Sequence, residues 1–136
     1  MQLIKIVNAY MAADQMRYAK YYNGQKIIQE ERELPFAQAE ALVELSAKLK
    51  PQYDRYADGE KALINEYAKR DEDGNAFVVD GQVSFETVED KVSFDNAMKT
   101  LQEEEVAVEG LPISMPKPAA VRCSWLEALD GFVVFV

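Results

Sequence analysis

The side chains best suited to bind a negatively charged ligand lie close together near the amino end of the chain. Arg17 and Lys20 are cationic, and Tyr18, Tyr21 and Tyr22 surround them in the sequence. An arginine side chain can contact a phosphate through two hydrogen bonds at once, and tyrosine rings stack on nucleobases with about 1–3 kcal/mol per base. These five residues therefore predict a site for a small anionic, nucleotide-like ligand.

The same tyrosines have a second interpretation. Tyrosine on an amphipathic helix usually packs into a hydrophobic core or an interface, because most of its ring is apolar. In that case Tyr21 and Tyr22 would stabilise the fold, and Arg17 would contribute little to ligand binding. The sequence leaves both interpretations open.

The residue types that carry most enzymatic chemistry are missing. The chain contains no histidine and a single cysteine, Cys123, which excludes Ser-His-Asp triads, Cys-His pairs and most zinc sites. Phosphate-binding loops and nucleophile motifs are also absent. We expect Cys123 to be a buried structural residue and the acidic turn at residues 71–75 to be solvated, because its glycine is wrongly placed for a calcium loop. The prediction is a non-enzyme without a metal or a cofactor.

Charge is distributed unevenly along the 136 residues. The chain has a net charge of −9, whereas residues 1–28 contain four basic residues and one acidic residue. Direct binding to a nucleic-acid backbone is not expected, because phosphates attract lysine and arginine. No apolar run reaches the roughly 20 residues that a membrane helix needs, and no secretory signal is recognisable, so we expect a cytoplasmic location.

The amino-terminal segment, residues 1–33, is predicted to form a strand and a basic, tyrosine-rich helix. Residues 2–7 contain β-branched side chains in rough alternation, which is typical of a short strand. Asn8 is a favourable N-cap for a helix over residues 9–22. Asn23-Gly24 fits the end of that helix, which would carry all five candidate ligand-binding residues.

Residues 34–105 are predicted to form a helical hairpin with a β-hairpin at its tip. Pro35 is favourable at the first position of a helix, and apolar residues then recur at helical spacing. Pro51 lies inside this stretch and is expected to kink the helix or to restart it. Asp80-Gly81 indicates a tight turn between two strands, and a second helix is expected over residues 90–105.

The carboxy-terminal segment, residues 106–136, is predicted to be mostly extended. Residues 106–109 alternate as a strand does, and three prolines within 111–118 favour an extended connector. A short helix is expected over 124–129. The strongly apolar residues 132–136 are expected to be buried in this chain or in a partner, because an exposed strand of this kind aggregates.

Together these elements predict one α+β domain over residues 1–136, mainly helical and dominated by a long helical hairpin. The helix over 35–70 is expected to pack against the helix over 90–105. Because a two-helix hairpin exposes much apolar surface, we also expect a homo-oligomer. A small sheet of short strands is expected from residues 2–7, 106–109 and 132–136.

The order of motifs in the middle of the chain resembles that of small phage or prophage proteins grouped as a domain of unknown function. The motifs are Leu34-Pro35, Leu49-Lys50-Pro51, Leu63-Ile64-Asn65-Glu66-Tyr67, Asp71-Glu72-Asp73-Gly74-Asn75 and Glu105-Val106-Ala107-Val108-Glu109. In those proteins a helical hairpin with a D-x-x-G-N turn precedes a short E-V-x-V-E strand. The resemblance covers residues 34–112, transfers no catalytic residue, and implies a phage or prophage origin and a small accessory role. For such a protein we expect a location in the host cytoplasm.

Three functions are consistent with these observations. The first is a phage accessory protein that acts by binding, either inhibiting a host defence protein or sequestering a small nucleotide-like signal. The second is an assembly or chaperone-like component of the phage particle. The third is an acidic mimic of DNA. The basic, tyrosine-rich segment favours the first.

Overall fold

The computed structural model describes residues 1–136 and shows an α+β fold in which about half of the residues are helical. The mainly helical class and the small sheets predicted from the sequence are confirmed. None of the helices is both long enough and apolar enough to cross a membrane. The helices are α1 (Leu3–Arg17), α2 (Phe36–Tyr67), α3 (Val88–Gln102) and α4 (Cys123–Leu129). The strands are β1 (Tyr18–Tyr22), β2 (Ile27–Glu31), β3 (Val78–Val79), β4 (Gln82–Val83), β5 (Ile113–Met115) and β6 (Val133–Phe135).

The strands form three separate two-stranded sheets. Strands β1 and β2 are antiparallel, with Tyr18 opposite Glu31. Strands β3 and β4 are also antiparallel and enclose the predicted turn at Asp80-Gly81. Strands β5 and β6 run parallel, with Ile113 opposite Val133.

Residues 2–7 belong almost entirely to α1, so the predicted strand there is wrong. Asn8 consequently lies inside the helix and does not cap it. The free energy gained by burying one apolar face of the helix is larger than the weak preference of β-branched residues for a strand. The residues of α1 that show this spacing are Leu3, Ile6, Ala9, Ala13 and Met16.

Helix α1 ends at Arg17, and the predicted helix over residues 18–22 is instead strand β1. Asn23-Gly24 forms the turn of a β-hairpin, in which the Asn23 side-chain oxygen accepts hydrogen bonds from the backbone N–H groups of Gln25 (3.0 Å) and Lys26 (2.9 Å). Gly24 has a φ of 93°, which glycine adopts without strain. An Asn-Gly pair suits a helix end and a hairpin turn alike, and pairing with β2 selects the hairpin.

Helix α2 continues through Pro51 and does not restart as a second helix. A proline inside a helix costs about 3 kcal/mol locally, because it removes one hydrogen bond and crowds the preceding turn. Burial of apolar side chains before Pro51 offsets this cost. On the amino-terminal side, α2 buries Ala41, Leu42, Leu45, Ser46 and Leu49.

The chain divides into two compact units. We call Met1–Leu3 together with Asp54–Val106 the hairpin unit, and Ile4–Tyr53 together with Ala107–Val136 the core unit. Every buried side chain except that of Leu3 belongs to the core unit. Helix α2 contributes its first half to the core unit and its second half to the hairpin unit.

In the hairpin unit, the second half of α2 packs against α3, as predicted. A Cβ atom at Gly59 would lie 3.0 Å from Leu101 Cδ2, so the two helices are in close contact there. Arg55 Nη1 lies 2.8 Å from Glu104 Oε1 and forms an ion pair with it. From Arg55 to Gly59 the residue number rises along α2, whereas the contacted residues fall from Glu104 to Leu101, so the two helices are antiparallel.

In the core unit, β6 pairs with the proline-rich connector. The predicted strand over 106–109 is absent, and so is the predicted sheet combining it with residues 2–7 and 132–136. Pro112 and Pro116 lie on either side of β5, so every residue within β5 keeps a backbone N–H that can hydrogen-bond to a neighbouring strand. Next to this pair of strands, Val136 N donates a hydrogen bond of 3.0 Å to Met115 O. Phe132 and Val133 are buried, so this chain itself covers part of its apolar end.

Candidate anion-binding site

A cavity in the core unit brings cationic and aromatic side chains together. Its volume is about 240 Å³. No acidic side chain lines it, although the chain has a net charge of −9. Its lining comes from four places in the chain: helix α1, strand β1, the residue after β2 and the start of α4. The lining residues are Gln15, Tyr18, Lys20, Arg32, Arg122 and Trp125.

Two contacts fix the position of the Trp125 ring. Trp125 Nε1 donates a hydrogen bond of 2.8 Å to Gln15 Oε1, and the Arg122 guanidinium lies over the ring at 5.1 Å from its centroid. Arg122 immediately precedes α4, and Trp125 N donates to Arg122 O at 3.0 Å in the first turn. The start of a short helix therefore places a cation over one face of a large aromatic ring.

Arg17 holds the second aromatic ring of the cavity. Its guanidinium lies 5.2 Å from the Tyr18 ring centroid, and Nη2 donates a hydrogen bond of 3.3 Å to Tyr18 Oη. Arg17 does not itself line the cavity. Its role is to position Tyr18 at the junction of α1 and β1.

The three cations of the cavity differ in their partners. Lys20 Nζ lies 3.5 Å from Asp14 Oδ2, a long and partly exposed ion pair. Arg32 and Arg122 have no carboxylate within 4.0 Å of their guanidinium groups, and the backbone N–H of Arg32 donates to Arg17 O at 2.8 Å. The two guanidinium groups therefore keep their planar sets of N–H donors for an anion.

The structure separates the five residues predicted from the sequence. Tyr18 and Lys20 line the cavity, and Arg17 supports Tyr18. Tyr21 lies on the opposite face of β1, because successive residues of a strand alternate, and Tyr22 is 68% exposed beside the hairpin turn. Tyr21 is exposed as well, so neither of these two tyrosines belongs to the core of this chain, and only the interface part of the second interpretation stays a prediction.

Tyr21 instead pairs with Glu30 on the neighbouring strand. Tyr21 Oη donates a hydrogen bond of 2.7 Å to Glu30 Oε1. This hydrogen bond, with smaller contributions from desolvation and from the Glu30 charge, raises the pKa of Tyr21 above its ordinary value of 10.0. The pair ties the two strands of the hairpin together at a distance from the cavity lining.

Sequence reasoning missed four residues of the cavity. They are Gln15, Arg32, Arg122 and Trp125. Arg122 and Trp125 carry one sequence signal, since residues three apart share a helical face, but nothing in the sequence connects them with residues near the amino end. Cys123, between them, is exposed rather than buried as predicted.

The acidic turn after α2 shows a conventional backbone arrangement. Asp71 Oδ1 accepts hydrogen bonds from the backbone N–H groups of Asp73 (2.9 Å) and Asn75 (3.0 Å), and residues 72–75 are exposed, as predicted. No group of three or more histidine, cysteine, aspartate or glutamate side chains is arranged to hold a metal ion. The cavity lined by Arg32, Arg122 and Trp125 is therefore a stronger candidate site than this turn.

No protein-family model, curated protein or solved structure matches this chain. The resemblance to small phage proteins therefore stays a prediction.

Proposed function

We propose that this is a non-enzymatic accessory protein, of phage origin as the resemblance implies, that binds a small anionic ligand with an aromatic ring. A nucleotide-like signal in the host cytoplasm is such a ligand, and binding would sequester it. One observation carries the proposal. Three cations and two aromatic rings line one cavity, and no carboxylate is among its lining residues, in a chain whose net charge is −9.

The side chains of the cavity divide into two roles. Arg32 and Arg122 bind the anionic group, because a guanidinium donates two parallel hydrogen bonds to a phosphate or carboxylate. Tyr18 and Trp125 provide faces on which a ring stacks. Lys20 adds positive charge, but its contact with Asp14 reduces what it contributes to the ligand.

The size of the cavity limits the ligand. Ligand pockets usually measure about 300–1,000 Å³, and this one has about 240 Å³. The enclosed part of the ligand is therefore a single ring with its anionic substituent. A larger nucleotide would extend into solvent.

Isothermal titration calorimetry with matched probes tests this proposal. Phenyl phosphate, adenosine monophosphate and cyclic mononucleotides combine a ring with an anion, whereas adenosine and inorganic phosphate each provide only one of the two. We expect the combined probes to bind at least about tenfold more tightly than either part, equivalent to about 1.4 kcal/mol. Trp125→Ala and Arg122→Ala should remove this advantage.

Two variants outside the cavity provide the control. Lys117 and Tyr22 are exposed and do not line it, so Lys117→Ala and Tyr22→Ala should bind the probes as the original chain does. If no combined probe binds, or if these controls lose as much affinity as the cavity variants, the proposal is wrong.

A further inference from the structure

The hairpin unit presents an apolar groove between the second half of α2 and α3. Its volume is about 470 Å³. Glycine and alanine at three positions make its walls low, so the backbone of another helix can approach closely. The lining includes Gly59, Ala62, Leu63, Ala97 and Leu101.

Apart from Leu3, the hairpin unit buries none of its apolar side chains completely. Between Asp54 and Val106 no side chain is buried. On α3, Val88 is 76% exposed and Val92 is also exposed. Apolar surface that is contiguous, as it is in this groove, is typical of an interaction site.

The charge of the hairpin unit identifies the kind of partner. The unit carries 15 acidic and 6 basic side chains, a net charge of −9, whereas the core unit carries nine of each. Two copies of such a surface repel one another, so a second copy of this chain is a poor occupant of the groove. A positively charged partner is attracted to it.

Three carboxylates lie within about one helical turn of residues that line the groove, and none of them forms an ion pair within the chain. Asp58 and Glu66 each lie one helical turn from Ala62, and Glu103 lies three residues from Thr100, which also lines the groove. All three side chains are exposed. Glu104, by contrast, is already paired with Arg55.

We propose that this groove is a docking surface for an amphipathic helix of a basic partner protein. The apolar face of the partner helix lies against Ala62, Leu63 and Ala97. Lysine or arginine side chains along its edges contact Asp58, Glu66 and Glu103. This is the helix-in-groove mode of recognition, with apolar anchors at helical spacing and charges at the rim.

A labelled amphipathic peptide of leucine and lysine serves as the probe, with fluorescence anisotropy as the readout. Two matched peptides accompany it: one has glutamate in place of every lysine, and the other has the same composition in an order that forms no apolar face. We expect the first peptide to bind and the other two to bind at least about tenfold more weakly. Binding should weaken as salt is added, because the rim charges are exposed.

Two triple variants distinguish binding at the groove from a general attraction of the basic peptide to the acidic hairpin unit. Asp58→Asn/Glu66→Gln/Glu103→Gln removes three charges at the rim. Glu72→Gln/Asp73→Asn/Glu86→Gln removes three charges from the same unit away from the groove. Because each exposed ion pair contributes only weakly, we expect the loss of three together to weaken binding of the peptide to the rim variant about tenfold, and binding to the control variant less than about threefold.

A second matched pair tests the apolar contact. Ala62 lines the groove, whereas Ala57 is exposed on another face of α2. Ala62→Lys should abolish tight peptide binding, and Ala57→Lys, with the same change in charge, should leave most of it. Circular dichroism shows whether each variant keeps its helices.

Three outcomes overturn the proposal. The first is equal loss of binding in both members of either pair. The second is equal binding of the peptide that forms no apolar face. The third is a dimer, detected by light scattering, that Ala62→Lys dissociates and Ala57→Lys does not, because a second copy would then occupy the groove. Arg122→Ala should not alter peptide binding, so this test is independent of the anion cavity.

Discussion

The core unit and the hairpin unit share helix α2 but differ in how they use it. In the core unit the helix buries Leu42, Leu45 and Leu49, and Tyr53 stacks on Tyr10 with 4.2 Å between the ring centroids. In the hairpin unit the same apolar stripe continues, yet none of its residues is buried. Helical periodicity therefore identifies the apolar face of a helix, but it does not show whether the chain itself covers that face.

The two units also differ in charge. The core unit is balanced, with nine acidic and nine basic side chains, and the whole net charge of −9 lies in the hairpin unit. Segregation of this kind allows a cationic cavity to exist within an acidic protein.

The largest expected effect is on stability, from two leucine truncations in the same helix. Leu45 is fully buried in the core unit, and Leu45→Ala should lower the free energy of unfolding by about 2–5 kcal/mol. Leu63 is only partly buried in the hairpin unit, so Leu63→Ala should cost about 1 kcal/mol. Urea unfolding followed by circular dichroism measures both, and equal losses would remove the distinction between the units.

A smaller effect is expected on ligand binding by the core unit. Arg122→Ala should weaken the binding of phenyl phosphate by roughly 1.5–3 kcal/mol, the contribution of a hydrogen bond to a charged group. Lys20→Ala should cost less, because Lys20 already contacts Asp14. Lys26→Ala, at the exposed hairpin turn, should have no effect in the same calorimetric titration. A loss with Lys26→Ala that matched the loss with Arg122→Ala would place the site elsewhere.

The smallest expected effect concerns the pKa of Tyr21. Because the hydrogen bond to Glu30 favours the neutral phenol, Glu30→Gln should lower the pKa of Tyr21 towards 10.0. Glu31→Gln, on the adjacent position of β2, should leave it unchanged. Phenolate absorbance is titrated for the original chain, for Glu30→Gln and for Glu31→Gln, each with and without the additional change Tyr21→Phe. Subtracting the titration with Tyr21→Phe from the one without it gives the signal of Tyr21 alone among the seven tyrosines.

The raised pKa also gives the sign of a pH dependence. Below pH 10 the phenol is neutral in the folded and in the unfolded chain, and its stabilising contribution is fully present. As the pH rises through the folded pKa, the phenol ionises beside Glu30 and that contribution is lost. Above pH 10, Glu30→Gln should therefore reduce the alkaline loss of stability, whereas an unchanged profile would show that the pair has no energetic role.

The long periodic helices were predictable from the sequence because many positions contribute to the pattern. Helices α2 and α3, the short helix α4 and the turn at Asp80-Gly81 all lie where the sequence indicates. The errors fall where a short stretch has two compatible structures. Residues 2–7 have β-branched side chains but a helical pattern of burial, and Asn23-Gly24 fits both a helix end and a hairpin turn.

The candidate site was predictable only in part. Tyr18 and Lys20 are neighbours in the sequence, so their types and spacing drew attention to them. Arg32, Arg122 and Trp125 reach the cavity through tertiary packing, which no local pattern encodes. The position of Tyr21 was mispredicted because a strand alternates its side chains every two residues, whereas the predicted helix would have grouped them every three to four.

Native-state hydrogen exchange along α2 tests the contrast between the units most directly, since a single helix passes from one unit to the other. We expect the amides of residues 41–49 to exchange at least about tenfold more slowly than those of residues 56–63, because opening the first half exposes a buried core and opening the second half does not. Uniform protection along the whole helix would contradict the account. It would show that the hairpin unit is as stable as the core unit without a partner.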